Sequence, residues 1–195
     1  VEEALSPALG IEVFHNFTLL HDDVMDRSDM RRGRPTVHAC WDENTAILSG
    51  DAMLTLATML VSEVDDNILA RVLKAFNKGA MDVYEGQALD MDFEQRSDVT
   101  LPEYINMISL KTGALLATAL KIGALTGNEA PDFQATTEAL YEYGMKLGIA
   151  FQIHDDYLDI YGNEKRLGKP IGGDVQNNKK TYLLLSALES GGAEA

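Results

Sequence analysis

The chain has 195 residues, room for one domain with a sizeable core and short of two average ones. Its 16 Lys and Arg stand against 31 Asp and Glu, and a formal net charge of −15 argues against nucleic acid or an anionic membrane, which need a positive field. Hydrophobic residues make up 46%, too many for a disordered chain, and the single cysteine, Cys40, cannot pair within the chain and suits a reducing, cytoplasmic compartment.

Apolar residues recur at three- and four-residue spacing almost throughout. Leu9, Val13, Phe17 and Leu20 form one such stripe, predicting a helix that ends near Asp26. Segment 27–38, with Gly33 and Pro35, reads as a loop, and helices follow over about 43–64 and 66–94. Ser97 to Glu103 holds good N-cap residues and a first-turn Pro102, opening a helix that Thr126-Gly127-Asn128 stops. A long helix covers about 133–161, a glycine-rich loop 162–174, and 178–189 is helical again. Helices without a convincing strand make the chain all-α. No apolar run approaches the roughly 18–20 residues of a membrane span, and no basic-then-apolar leader is present. The opening at Val1 runs straight into periodic apolar sequence, as expected of a piece of a longer polypeptide.

One repetition stands out. His21-Asp22-Asp23-Val24-Met25-Asp26 recurs as His154-Asp155-Asp156-Tyr157-Leu158-Asp159, each late in a long apolar helix. Asp22 and Asp26 are one turn apart on one helix face, as are Asp155 and Asp159. Like charges at that spacing destabilise a helix and oppose its dipole, so the pattern asks for a counter-ion. Hard divalent cations take carboxylate oxygens, and Mg²⁺ shares its remaining positions with water and phosphate. Two facing clusters would hold several Mg²⁺ ions and a diphosphate; solvated helix ends are the plainer alternative. Zinc is disfavoured, because Cys40 stands alone and no His pair has ligand spacing.

Positive charge is scarce, so its clustering matters. Arg27, Arg31, Arg32 and Arg34 follow the first cluster directly, where they either neutralise it or bind phosphate. Lys111-Thr112-Gly113 interrupts a helix with poor helix formers, which points to close approach of a ligand or of another helix. Lys169 and Lys179 flank Gly172-Gly173-Asp174 in the last loop, which reads either as a mobile lid over phosphate or as solvated surface.

Taken together, DDVMDRSDMRRGRPTVH (22–38), GQALD (86–90), KTG (111–113), FQIHDDYLD (151–159) and GKPIGGDVQNNKKT (168–181) resemble the trans-isoprenyl diphosphate synthases, the polyprenyl synthetase family, along essentially the whole chain. The resemblance implies an isoprenoid synthase-type helical bundle with a central cavity, usually a homodimer. It implies Mg²⁺, three ions per site with Mn²⁺ as a substitute, held by Asp22, Asp26 and Asp155 with Asp23, Asp156 and Asp159 in support. Arg31, Lys111, Lys169 and Lys179 would bind an allylic diphosphate, and Arg32 and His15 isopentenyl diphosphate. Thr112 and Gln152 would face the reacting carbons, so that Lys111, Thr112 and Gln152 form the catalytic set. The implied reaction is head-to-tail condensation of isopentenyl diphosphate with dimethylallyl, geranyl or farnesyl diphosphate. Phe17 and Thr18, five and four positions before Asp22, would limit product length to C15–C20, the farnesyl to geranylgeranyl range. The family's upstream Gly-Lys-x-x-Arg segment has no match before His15, and its C-terminal helices are curtailed at Ala195, so the chain is expected to be a single prenyl synthase domain lacking helices at both ends. A terpene cyclase-like lyase and a non-catalytic partner subunit are the alternatives; the intact second DDxxD and the Arg-Arg-Gly after the first favour a synthase.

Overall fold

Apolar spacing at three and four residues resolves into helices packed side by side, and the computed structural model describes residues 2–127, 133–162, 172–173 and 178–191. A 3-10 turn at Glu2–Ala4 leads into α1 (Leu5–Met25), followed by β1 (Met30–Arg31), β2 (Arg34–Pro35) and the short α2 (Val37–Cys40). The longer elements are α3 (Glu43–Val61), α4 (Asp66–Gln95), α5 (Leu101–Ile108), α6 (Ala114–Gly127), α7 (Phe133–Tyr161) and α8 (Tyr182–Gly191). A π-helical turn, Ser109–Gly113, joins α5 to α6.

Local chemistry sets the boundaries. The Asp42 carboxylate accepts the Thr45 N–H at 2.8 Å and starts α3. A capping box of Thr100 and Glu103 starts α5, with Pro102 in the first turn. The last helix begins at Tyr182 rather than 178, because Thr181 precedes it as a buried residue whose hydroxyl accepts the Leu184 N–H at 3.4 Å. The all-α reading holds, with one small addition. Within the expected loop 27–38, Met30 pairs with Pro35 and Arg31 with Arg34 in a two-residue antiparallel ladder. Arg32 (φ 51°) and Gly33 (φ 74°) close it with the two positive φ angles of a type I′ turn.

Two buried clusters hold the helices together. The first packs Phe14 and Phe17 of α1 against Val61 of α3, Phe76 of α4 and Ile122 of α6. Phe14 meets Phe76 edge-on at 5.3 Å, a geometry worth about 0.5–1.5 kcal/mol beyond burial. The second joins Phe93, Tyr104, Ile108 and Leu185. Glu43–Val61 and Leu101–Gly127 are in fact long and apolar enough to cross a membrane by length and composition, which corrects the reading of the sequence. α3 packs along α1 on one side and leaves most of its apolar surface exposed, and the second stretch packs against α4 and α7.

Candidate active site

The first aspartate cluster lies at the C-terminal end of α1. Asp26 is the helix C-cap, and Arg27 at φ 51° turns the chain out of the helix. The hairpin then folds Arg31 back: its Nε lies 2.8 Å from Asp23 Oδ1 and its Nη2 3.5 Å from Asp22 Oδ2. Arg32, at the turn, is exposed and has no carboxylate partner among the described residues, so the two adjacent arginines diverge. Burial raises the Asp23 carboxyl, with Arg31 opposing the shift. Burial and the neighbouring Asp22 charge raise Asp26 against the pull of Lys179 and Lys111.

Two lysines from distant parts of the chain meet these carboxylates. Lys111 Nζ stands 3.4 Å from Asp22 Oδ1 and 2.6 Å from Asp90 Oδ2. Lys179 Nζ stands 3.4 Å from Asp26 Oδ1, 2.9 Å from Asp90 Oδ2 and 2.7 Å from Glu94 Oε1. Asp90 therefore bridges both ammonium groups. Burial alone would raise its carboxyl, but the two lysines outweigh burial and hold it below the ordinary range. Burial likewise works against both ammonium charges, and the surrounding carboxylates reverse it, leaving Lys111 and Lys179 raised and charged.

The π turn links this cluster to the second one. A Cβ on Gly86 of α4 would collide with the Lys111 backbone, and one on Gly148 of α7 would collide with Gly113. The interruption at KTG is thus a point where α4 and α7 both press against the turn. Lys111 reaches the end of α1, while the next residue, Thr112, donates its hydroxyl to Gln152 Oε1 at 2.9 Å. Gln152 Nε2 donates to Asp156 Oδ1 at 3.1 Å. Asp156 Oδ2 accepts the Tyr104 hydroxyl at 2.6 Å and the Tyr182 N–H at 2.9 Å. Asp156 and Asp159 are buried, and Asp155 is half-buried.

A family model described as polyprenyl synthetase matches residues 1–195. The chain belongs to the polyprenyl synthetase family. It is 46% identical over 191 residues to a short chain isoprenyl diphosphate synthase of Methanocaldococcus jannaschii, covering 97% of this chain and 57% of that protein. Against a geranylgeranyl diphosphate synthase of Methanosarcina mazei it is 45% identical, covering 98% and 59%. A crystal structure of a geranylgeranyl pyrophosphate synthase superposes with a TM-score of 0.91 at 48% identity, over 99% of this chain and 58% of that one. The chain thus spans a little over half the length of these relatives, and its all-α architecture is the isoprenoid synthase fold.

Within this polyprenyl synthetase bundle, the remaining expected residues lie as follows. Phe17 is buried against Phe14, His21 and Tyr84, with ring centroids 5.5, 4.7 and 6.2 Å away. Thr18 is half-buried and spends its hydroxyl on the His15 carbonyl at 2.8 Å. His15 is on α1 two turns before Asp22, outside the ion-paired cluster, 3.9 Å from Glu12. His21 occupies a notch at Gly50 and shares a hydrogen bond with the Ile47 carbonyl at 3.1 Å. Lys169, Asp174 and most of the proposed lid lie outside the described residues. Sequence reasoning did not single out Asp90, Glu94, Tyr104 or Tyr182. For Asp90 a signal existed: two isolated lysines in an acidic chain need a shared counter-ion, and Asp90 closes the GQALD segment.

The donor set suits a hard divalent cation, since every expected ligand is a carboxylate. Among the described residues no three His, Cys, Asp or Glu side chains converge on one point. Mg²⁺ needs only one or two carboxylates when water and substrate phosphate fill its other positions, so the pairs on α1 and α7 fit it.

Proposed function

We propose that this chain carries the catalytic core of a Mg²⁺-dependent trans-prenyltransferase of isoprenoid biosynthesis. It condenses isopentenyl diphosphate with dimethylallyl, geranyl or farnesyl diphosphate, releasing diphosphate and making C15–C20 prenyl diphosphates. The observation that carries this reading is the convergence of Lys111 and Lys179 on Asp90, beside Asp22 and Asp26. Relatives of similar sequence are named geranylgeranyl and (2E,6E)-farnesyl diphosphate synthases. A similar structure, a geranyltransferase from Helicobacter pylori, is described as complexed with magnesium and isoprenyl diphosphate.

Asp22, Asp26 and Asp155 would hold Mg²⁺, with Asp23 and Asp159 in support; three ions per site, or Mn²⁺ in their place, would satisfy the two clusters. Asp156, expected with them from the sequence, does not join this set, because its oxygens accept from Tyr104, Gln152 and Tyr182. Bound metal supplies Lewis-acid neutralisation of the charge that grows on the leaving diphosphate. Arg31, Lys111, Lys169 and Lys179 orient that diphosphate, and their donors strengthen as its charge develops. Thr112 and Gln152, fixed by their mutual hydrogen bond, place polar atoms beside the reacting carbons. Apolar walls exclude water from the allylic cation. Arg32 and His15 take isopentenyl diphosphate, whose double bond attacks the cation before a proton is lost to the released diphosphate.

The protein is expected to act as a cytoplasmic homodimer. Support comes from the exposed apolar face of α3, where Leu48, Leu56 and Met59 share one side, and from the free thiol of Cys40. The test is to incubate the protein with Mg²⁺, dimethylallyl diphosphate and isopentenyl diphosphate, chromatograph the products, and measure geranyl diphosphate binding at the metal-dependent site. Longer prenyl diphosphates, and a Mg²⁺-dependent binding component that Asp22→Ala removes, are expected. No elongation and no Mg²⁺-dependent component would overturn the assignment.

A further inference from the structure

A groove of about 540 Å³ opens between the first half of α4, the second half of α6 and the first turns of α7. Its volume is that of a small-molecule site. It lies away from the aspartates: Gly79, its member nearest to Asp90 along α4, is 11 residues before it, roughly 16 Å at about 1.5 Å per residue.

Its charge is opposite to that of the chain. Arg71, Lys74, Lys78 and Lys121 all line it, four of the chain's 16 cations in a protein of net charge −15. Two are neutralised, Lys78 by Asp82 and Lys121 by Glu138 at 3.1 Å. Lys74 has no carboxylate partner among the described residues, and Arg71 lies over the Phe133 ring at 4.5 Å instead of pairing with one. Among the described residues two positive charges therefore remain uncompensated at the groove. The walls between them are mixed: Ala75, Leu125 and the Tyr141 ring supply an apolar strip beside the polar Gln134, Thr137 and Glu138. At its base α4 and α6 touch: a Cβ on Gly79 would collide with the Thr118 hydroxyl. Guanidinium and ammonium groups around an apolar floor recognise an anionic head on an apolar body.

We propose that this groove is a second anion site, taking a phosphate-headed ligand with an apolar body and needing no metal. The proposal does not rest on the catalytic reading, because the groove shares no residue with the aspartate clusters. Chelation separates the two sites. With EDTA present, calorimetric titration of the protein with inorganic diphosphate and with geranyl diphosphate should show binding of both, geranyl diphosphate at least about tenfold the tighter. Raising salt from about 50 to 500 mM should weaken both. Lys74→Glu, an exposed change that leaves Arg71 on Phe133, should weaken both by at least about tenfold, and Arg71→Ala with Lys74→Ala should abolish them, while Lys111→Ala changes neither. Absence of binding in EDTA, or equal binding by the Lys74→Glu protein, would overturn the proposal. Geranyl diphosphate binding no more tightly than inorganic diphosphate would overturn the role of the apolar floor.

Discussion

Asp156 sits inside the second DDxxD, yet its carboxylate faces three donors of the protein itself, and this makes a quantitative prediction. Its Oδ2 accepts from the Tyr104 hydroxyl of α5 at 2.6 Å and from the Tyr182 N–H at the start of α8 at 2.9 Å. Its Oδ1 accepts from Gln152 at 3.1 Å. The Tyr182 N–H is one of the donors a helix start leaves unpaired, and a carboxylate there also suits the helix dipole. A buried hydrogen bond to a charged group contributes about 1.5–3 kcal/mol, so Tyr104→Phe should cost about 2 kcal/mol. Asp156→Ala removes the acceptor that the Tyr104 hydroxyl and the Tyr182 N–H share, at about 1–3 kcal/mol each, and should cost about 2–6 kcal/mol by loosening α8 from α5 and α7. Urea unfolding followed by circular dichroism measures both. Tyr104→Phe should leave Mg²⁺-dependent diphosphate binding intact, which separates a structural carboxylate from a metal ligand. If both variants unfold within about 0.5 kcal/mol of the parent, or if Tyr104→Phe abolishes Mg²⁺-dependent binding, Asp156 does not hold the helices together as argued.

Asp22→Ala and Asp155→Ala should each lower turnover by orders of magnitude at unchanged helicity; near-parental rates in either would remove that cluster from the chemistry. Arg31→Lys and Arg32→Lys should raise KM for different substrates, because Arg31 is folded onto Asp22 and Asp23 whereas Arg32 is exposed and pairs with neither; steady-state kinetics with each substrate varied would detect equal effects, which would reject the division. Phe17→Ala should shift products to longer chains and, since the ring is buried among Phe14, His21 and Tyr84, cost about 3–5 kcal/mol; an unchanged product distribution excludes it as a floor. The Asp42 carboxyl is held below its ordinary range by hydrogen bonds from the Thr45 N–H and hydroxyl, so its contribution is present above the unfolded pKa and lost as pH falls through the lowered folded value. The stability difference between the parent and Asp42→Asn should shrink below about pH 4 in urea titrations, and a constant difference would refute the cap's charge dependence.

Helical spacing made the long elements legible because each buries one stripe against a neighbour, but it placed that stripe imperfectly: on α1 the buried face is Gly10, Phe14 and Phe17, while Leu9 of the expected stripe is exposed. The short hairpin at 30–35 was not legible, since two paired residues leave no periodicity and Arg32 adopts a left-handed φ that its residue type does not announce. The KTG interruption was visible as poor helix formers, but not that it is a π turn pressed by Gly86 and Gly148, because those contacts come from segments 25 and 35 residues away from Lys111 and Gly113. The aspartate clusters could be read from their repetition. Their counter-ions could not, as Lys179 meets Asp26 across 153 residues of chain.

The same ion pairs bear on how so acidic a site would take the anionic substrate proposed for it. Five carboxylates, Asp22, Asp23, Asp26, Asp90 and Glu94, meet three cations, Arg31, Lys111 and Lys179, so the cluster carries an excess of two negative charges. Such a cluster repels diphosphate and suits a divalent cation, whose charge would supply the positive field that the proposed substrate needs. Asp90 bridges both lysines, at 2.6 and 2.9 Å, and Glu94 holds Lys179 at 2.7 Å, which keeps them charged and in place without committing either to Asp22 or Asp26, whose closest lysine contacts are longer, at 3.4 Å. Under the proposed function Asp22 and Asp26 would be available to a metal and the two lysines to phosphate, with Asp90 between them. Asp90→Asn would remove the anchor and leave two ammonium groups close together with weaker compensation. It should therefore weaken Mg²⁺-dependent diphosphate binding, although the substitution removes a negative charge and a simple charge count would predict the opposite. Tighter binding by Asp90→Asn would show that net charge, rather than the placement of Lys111 and Lys179, governs the site.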